Sequence, residues 1–536
     1  MFTSSLKSLN VSLLVIILIT SISIQGSFAY SKGDTKSEIN QINQTSTDGR
    51  YEGYNLFVII RFDGNTWRPI NRSLVITDLS GNVYFAKDIP TYSGSLNDAE
   101  FINSTTILYG DDGGANLWNL ETDKTRCLNF DGHHEYERNY ANDTYFSISE
   151  EPIKIEGASY MFDRVFEYNE FGEAVWNVST SSFISHTQWC PYQDLTGIHR
   201  DLTHTNTVQY DDREDMIYLN VRNVNTFYKL DHKTGEVIWG LGEYGNFTLF
   251  DIYGNERDAL FYHSHGLEKI SDNKFIMFDN DEHNQTDAAN HHSRLLEITI
   301  DEDKMYANVT WEWISPTDYY SGWYGDCDLL PNNNYLGVFG SQTRPGTDYG
   351  ARLVEVNPEG EIVWEYSYER AGFNTFGVYR MERFRFEPIV SEPTFHNLGE
   401  NDSYVEWDVW YNYRSRTEFQ GQYFITIDDN LTENGTIELQ RFWQSTNVRL
   451  NISPTSYLEH EVSLVISDEA GHLSNETDRY EPIGALSPEN TGRIGIPIIF
   501  TGGLLIPTLG VGAYVICRKH NKKPLFKYPI FKKNKS

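Results

Sequence analysis

Short apolar runs alternating with polar residues, each broken by a Gly- or Asx-bearing turn, recur along residues 51–385. This period-two pattern predicts strands rather than helices. The clearest unit is a strand, a hairpin turn and a second strand ending in tryptophan: Phe171-Gly172-Glu173-Ala174-Val175-Trp176, Thr234-Gly235-Glu236-Val237-Ile238-Trp239 and Glu359-Gly360-Glu361-Ile362-Val363-Trp364. Weaker copies surround Gly81, Lys124 and Asp303, the last leading to Trp311. A small antiparallel sheet cannot bury its faces alone, so six copies predict an all-β fold, a six-bladed β-propeller closed about an axis. The widest intervals lie between the turns at 172 and 303, which places long loops, and a site, at one mouth of the channel.

After Arg385 the pattern tightens into strict alternation, as in Tyr404-Val405-Glu406-Trp407-Asp408-Val409-Trp410 and Glu461-Val462-Ser463-Leu464-Val465-Ile466. With Asp-Asn and Asn-Gly turns between them, these strands predict an immunoglobulin-like β-sandwich over residues 386–482, with a linker at 483–493 on its C-terminal side. Residues 30–50 are a Ser-, Thr-, Asn- and Gln-rich linker. Two apolar segments flank all of this. Residues 11–24 follow Lys7 and precede Ser27-Phe28-Ala29, the small-x-small pattern of a signal peptide spanning residues 1–29. Residues 494–517 carry no charge and run into Arg518, Lys519, Lys522 and Lys523, which predicts a C-terminal transmembrane helix and a basic cytoplasmic tail at 518–536. The expected topology is single-pass type I in the cell membrane, with the large N-terminal part outside.

The 536 residues carry 43 Lys+Arg against 76 Asp+Glu, a net charge of −33, which repels phosphate backbones and excludes nucleic acid as a partner. Aromatic residues at 14% exclude general disorder. Thirteen Asn-x-Ser/Thr sites between the apolar segments, among them Asn103, Asn142, Asn246, Asn308 and Asn451, fit a glycosylated exterior. Cys127, Cys190 and Cys327 are an odd set from which one disulfide at most can form.

Candidate chemistry falls in the long-spaced middle copies. His204 stands just before an apparent strand, and His263 and His265 share one face if their segment is extended. Arg294 follows Ser293, after the string Phe278-Asp279-Asn280-Asp281. The ordinary role of a histidine at a strand start is structural; several near successive strand starts point to a site. Together these strings resemble the bacterial-type arylsulfate sulfotransferases over roughly residues 170–385. The family's Asp-x-x-His-x-Asn-Ser string resembles residues 201–207, its Gln-His string with Phe-Asp-Asn-Gly resembles Ser264-His265-Gly266 with Phe278-Asp279-Asn280-Asp281, its Ser-Arg pair matches Ser293-Arg294, and its Leu-Pro-x-Gly-Asn motif resembles residues 330–334.

The resemblance implies a propeller enzyme that moves sulfuryl groups between phenols without a nucleotide donor or other cofactor, through a sulfated histidine. It implies proton-transfer and oxyanion-binding roles for His204 and His265, and a sulfuryl clamp at Arg294. One position departs from the pattern. Where bacterial members carry the sulfated histidine before a Tyr-Arg pair, this chain has Val378 before Tyr379 and Arg380, and valine cannot accept a sulfuryl group. Another imidazole, His265 or His263, then serves, or transfer is direct, or turnover is lost and the pocket only binds; Arg380 favours an anion in each case. The competing expectation is a surface propeller that recognises a glycan or another protein without turnover. No compact metal motif is present among His263, His265, His283, His291, His292 and Asp279, so no metal is expected; Asp279 and Asp281 would suit calcium if any were bound.

Overall fold

The computed structural model describes residues 41–46, 48–63, 68–89, 98–111, 114–190, 199–281, 292–340, 349–369, 374–396, 402–452 and 459–480. Among these the fold is all-β; the helical pieces are the 3-10 turns Thr180–Ser182, Arg222–Val224 and Thr317–Tyr319. The predicted leader, the residue 494–517 segment and the basic tail lie outside the described residues, as do His283 and His291. No helix among the described residues is long and apolar enough to cross a membrane.

Six antiparallel sheets follow one another in a propeller-like ring. Sheet 2 runs Ala99–Asn103 to Lys124–Cys127, sheet 3 His133–Asn139 to Ala174–Ser179, sheet 4 Thr205–Asp211 to Val237–Gly242, sheet 5 His265–Ser271 to Tyr306–Ile314 and sheet 6 Asp326–Leu329 to Ile362–Glu369. Sheet 1 is composite. Its outer strands Tyr54–Asp63, Pro69–Asp78 and Val83–Ile89 come from the start of the chain, and its innermost strand, Asn374–Phe384, comes from beyond sheet 6. Tyr54 pairs with Phe384 and Asp63 with Asn374, which zips the two ends of the ring together. Sheet 6 returns to sheet 1 where Asp326–Leu329 packs against Asn374–Phe384. The six turns legible in the sequence are, in every sheet, the hairpin between the third and fourth strands.

Tryptophan explains the outer packing. Trp364 of sheet 6 is fully buried and donates its indole N–H to Leu79 O in sheet 1 at 2.8 Å; Trp313 of sheet 5 donates to Gly360 O in the hairpin of sheet 6 at 3.1 Å. Each indole thus fills the seam to the next sheet and satisfies its single donor there. Gly81 shows why those turns need glycine: φ is +74°, and a Cβ would sit 2.2 Å from the Tyr366 ring.

Beyond Arg385 two four-stranded sheets pack face to face. One holds Tyr404–Trp410 and Thr446–Asn451; the other holds Phe419–Ile427 and His460–Ser467. The alternation read in the sequence is the burial pattern found: Val405, Trp407, Val409, Val462, Leu464 and Ile466 are all at 0% exposure. This sandwich is not an isolated unit. Its apolar core is continuous with that of sheets 1 and 2, through Phe101 with Tyr413 at 5.3 Å and Phe101 with Phe384 at 4.5 Å between ring centroids.

Candidate active site

The innermost strands all enter the ring from the same end, so residues at their N-terminal starts converge at one mouth. His134 is the second residue of its strand, His204 stands immediately before Thr205, His265 opens its strand, Tyr324 precedes Asp326 by two, and Tyr379 lies within Asn374–Phe384. With Arg222 and Trp323 these side chains line a cavity of about 280 Å³.

Hydrogen bonds fix the protons in this cavity. Asn280 donates its amide N–H groups to Ser321 O at 2.7 Å and Tyr324 O at 3.1 Å, so its Oδ1 must face His265 Nδ1, 2.7 Å away. An amide oxygen only accepts; His265 Nδ1 therefore carries the proton and Nε2 is left with its lone pair toward the cavity. Burial, and then Arg222, hold the His265 pKa well below the ordinary imidazole value, which keeps that lone pair available at neutral pH. The segment before it is clamped by Asn206 and Asn220, which both donate to Ser264 O at 2.8 Å. Gly266 follows at φ +56°, where a Cβ would meet Asp326 Oδ1 at 2.4 Å.

His204 and His134 form a pair. His204 Nδ1 donates to the Asp201 carboxylate at 2.6 Å, and its Nε2 lies 2.9 Å from His134 Nε2. One proton must sit between those two nitrogens, which ties the two rings together. Burial, and then the charges of His133, His204, His265 and Arg380, keep the His134 pKa well below its ordinary value. Burial works against ionisation of Asp201, but the His204 hydrogen bond and charge outweigh it and hold the carboxylate below its usual range. Both histidines adopt left-handed backbone, φ +68° at His134 and +50° at His204, where the chain turns into the inner strand.

The other sequence candidates are placed differently. Arg294 does not line the cavity: Asp279, 2.5 Å from Nη2, Glu312 at 2.8 Å and Leu260 O at 2.8 Å occupy its guanidinium. Arg222 stands at the cavity instead, held by Asn223 Oδ1 at 2.8 Å and Gly322 O at 3.2 Å. His263 has φ +56°, so the segment is not regularly extended there; its ring is buried and does not share the lining with His265. Asp279 Oδ1 accepts from the backbone N–H of Tyr262 and of Asp281, and among the described residues no three ligating side chains gather about a metal position. Val378 is fully buried among Leu336, Val338 and Ala351, away from the cavity. The ladder then slips by one residue between Val378 and Met381, a bulge that turns both Tyr379 and Arg380 toward the axis. Arg380 lies beneath the cavity, on Glu135 at 2.6 Å, Asp98 at 3.4 Å, Asn206 O at 3.0 Å and Thr207 Oγ1 at 2.9 Å. Sequence reading missed His134 and Arg222. His134 holds the place in sheet 3 that His204 and His265 hold in sheets 4 and 5, and superposing the repeats by inner-strand start would have found it.

Residues 33–380 match the arylsulfotransferase (ASST) family. The chain belongs to that family. Membership supports an arylsulfotransferase-like function. No curated protein matches. Among solved structures the chain is similar to the extracellular domain of a B. thetaiotaomicron protein described as a one-component system, at 9% identity, 81% of this chain, 57% of that chain and TM-score 0.27. The chain therefore spans little more than half of that structure. It is also similar to the Kuenenia stuttgartiensis hydrazine synthase, at 7% identity, 54% and 71% coverage and TM-score 0.31, and to the dihydro-heme d1 dehydrogenase NirN, at 10%, 82%, 79% and 0.26. At such low scores these likenesses carry no chemistry.

Deeper in the channel the protein is acidic. Burial raises the carboxyl groups of Asp98 to about 6, Asp326 to about 7 and Glu100 to about 8, and Glu137, Asp328 and Glu382 well above their ordinary value. An acid whose folded pKa is raised holds a proton that the unfolded chain has lost, so its contribution to stability is complete below about pH 4 and is lost as pH rises through the raised values. His472, raised to about 9 by its Asp468 hydrogen bond, adds to the alkaline loss, while the depressed His134 and His265 cost stability below about pH 6.5. The melting temperature is expected to peak near about pH 5–6 and fall toward about pH 9; calorimetry across that range checks it, and a Tm that climbs steadily to the alkaline end contradicts it.

Proposed function

We propose that this protein is a cell-surface enzyme that moves a sulfuryl group from an aryl sulfate to a phenol through His265. The reading rests on family membership and on one observation: an imidazole with Nδ1–H held by Asn280 and Nε2 directed at a cavity that Arg222 and the His134–His204 pair also line. In the first half-reaction the Nε2 lone pair attacks sulfur as the sulfur–oxygen bond to the aryl group breaks. The aryl oxygen leaves with that electron pair and takes a proton from the His134–His204 pair in its singly charged, three-proton form, which leaves both imidazoles neutral. In the second, the acceptor phenol gives its proton to the pair, its oxygen attacks sulfur, and the nitrogen–sulfur electrons return to Nε2. Arg222 faces the sulfuryl oxygens and supplies the cationic donors they require. Trp323, Tyr324 and Tyr379 offer aromatic walls to a flat substrate, and burial keeps the Tyr379 hydroxyl protonated by raising its pKa.

The six sheets fit a six-bladed propeller and the sandwich fits an immunoglobulin-like module; the terminal apolar segments fit a secreted, type I anchored, glycosylated protein. The test is to follow nitrophenol release from p-nitrophenyl sulfate by the purified chain, with and without an acceptor phenol. Acceptor-dependent release with one sulfated acceptor formed per nitrophenol is expected, as is a loss of about 10²–10³-fold in kcat for Arg222→Met. Absence of release between about pH 5 and pH 9 overturns the enzyme reading, and capture of the donor without release is the behaviour of a binding propeller.

A further inference from the structure

The end of the channel opposite the histidine mouth is occupied by the sandwich. Three of its arginines reach the axis. Arg414 engages Glu268 of sheet 5 and Asp328 of sheet 6, the latter at 3.2 Å. Arg416 engages Glu137 and, at 3.3 Å, Glu135 of sheet 3, Glu100 of sheet 2 at 3.6 Å and Glu268 at 3.4 Å. Arg441 bonds Asp211 of sheet 4 at 2.8 Å and Asp212 at 3.3 Å. Between them they touch carboxylates of five sheets, and the sixth is joined where Arg385 N donates to Asn412 O at 2.8 Å. Arg414, Arg416 and Arg441 are 8%, 11% and 2% exposed, and Glu135 and Glu137 are 0% and 2% exposed. Thr417 adds a bond to Asp212 at 2.7 Å, and Tyr140 meets Phe419 edge-on at 6.0 Å.

One chain of contacts continues from this plug to the cavity. Arg416 and Arg380 share the Glu135 carboxylate, 3.3 and 2.6 Å from its Oε1. Glu135 follows His134 directly, and its other oxygen accepts from Val208 N at 2.7 Å. Arg380, next to Tyr379, bonds the strand that begins after His204 at Asn206 O and Thr207 Oγ1. A single guanidinium therefore ties together the strands that present His134, His204 and Tyr379, and the sandwich holds one of its carboxylate partners.

We infer that the sandwich is an internal partner of the site: it plugs the far end of the channel, and Arg416, acting through Glu135 and Arg380, is a positioning residue for the His134–His204 pair. The plug closes the channel, so a ligand enters and leaves the cavity by the histidine mouth alone. Removing Arg416 leaves the buried Glu137 and Glu135 without the guanidinium that joins them to the sandwich, and the strand that carries His134 is then free to shift.

The inference does not depend on sulfuryl transfer, and its test uses no turnover. Imidazole nitrogen NMR of the whole chain, with the His134 and His204 signals assigned through His134→Gln and His204→Gln, reports the shared proton directly. Arg416→Met is expected to shift both signals and to lower the Tm by about 5–10 °C. Adding Glu137→Gln, whose amide needs no cation beside it, is expected to recover at least half of that loss. Arg479→Met, which breaks an exposed sandwich ion pair with Glu461, is expected to do neither. If Arg416→Met does not fold, Arg416→Lys is read instead, because it keeps the charge and loses the fork. Signals unmoved in the folded variant, or moved equally by Arg479→Met, overturn the positioning role; an unchanged Tm overturns the plug.

Discussion

Replacing His265 with alanine is expected to reduce nitrophenol release by at least about 10³-fold, the scale of losing a nucleophile whose partners remain in place. The physical reason lies in the lone pair. Water that fills the vacated volume has no N–H held by Asn280 and no fixed direction toward sulfur, so the attack loses its orientation. Asn280→Asp separates that role from mere packing. A carboxylate opposite Nδ1 favours the imidazolium and raises the His265 pKa, so activity should be lost on the acid side of the profile and return as pH rises. Mass spectrometry of enzyme quenched with donor and no acceptor should find one added SO3 group in the peptide carrying residue 265 and none in His265→Ala. An alanine variant with a wild-type rate and an unchanged melting curve would remove His265 from the chemistry.

Arg383→Met is expected to lower the stability of the protein by about 3–5 kcal/mol, with little change in the pH profile of any activity. Arg383 is 0% exposed at the seam where the ends of the ring meet. Its Nε donates to Asn55 Oδ1 at 2.6 Å, and its Nη1 donates to Tyr51 O at 2.6 Å and to Glu355 Oε2 at 3.0 Å. It therefore staples the first strand of the ring, the closing strand and sheet 6 at one point. Glu355 keeps Tyr51 N and Asn334 Nδ2, both at 2.6 Å from Oε1, but these dipoles do not replace a charge for a fully buried carboxylate. Differential scanning calorimetry should register a fall in Tm of about 10 °C, against less than about 2 °C for Arg257→Met, whose partner Asp251 lies in an exposed hairpin. Equal shifts in the two variants would mean that the ring is not held at this seam.

Six sheets were legible in the residues because each third-to-fourth-strand hairpin is written locally. Gly81, Gly172, Gly235 and Gly360 all take positive φ, and that demand is met by the residue itself. The sandwich was legible for the same reason: alternation at Val405, Trp407 and Val409 encodes one buried face without reference to anything distant. His204 and His265 stood out because both lie at the starts of inner strands in recognisable strings. Arg222 and Arg294 were not distinguishable in this way. Each is one arginine at the end of a strand, and which of them reaches the cavity depends on whether Asp279 and Glu312 capture it first, a matter of contacts across two strands.

The sequence alone, then, determined the β class, the number of repeated sheets, the change of pattern after Arg385 and two of the imidazoles, because these rest on periodicity and turn chemistry over a few residues. Tertiary structure alone decided that Asn374–Phe384 closes sheet 1, that a bulge turns Tyr379 and Arg380 to the axis while Val378 stays in the core, and that Arg414, Arg416 and Arg441 meet carboxylates distant in the chain. Those arrangements depend on loop closure and on the pairing of buried charges, and neither leaves a mark on the residues adjacent in the chain.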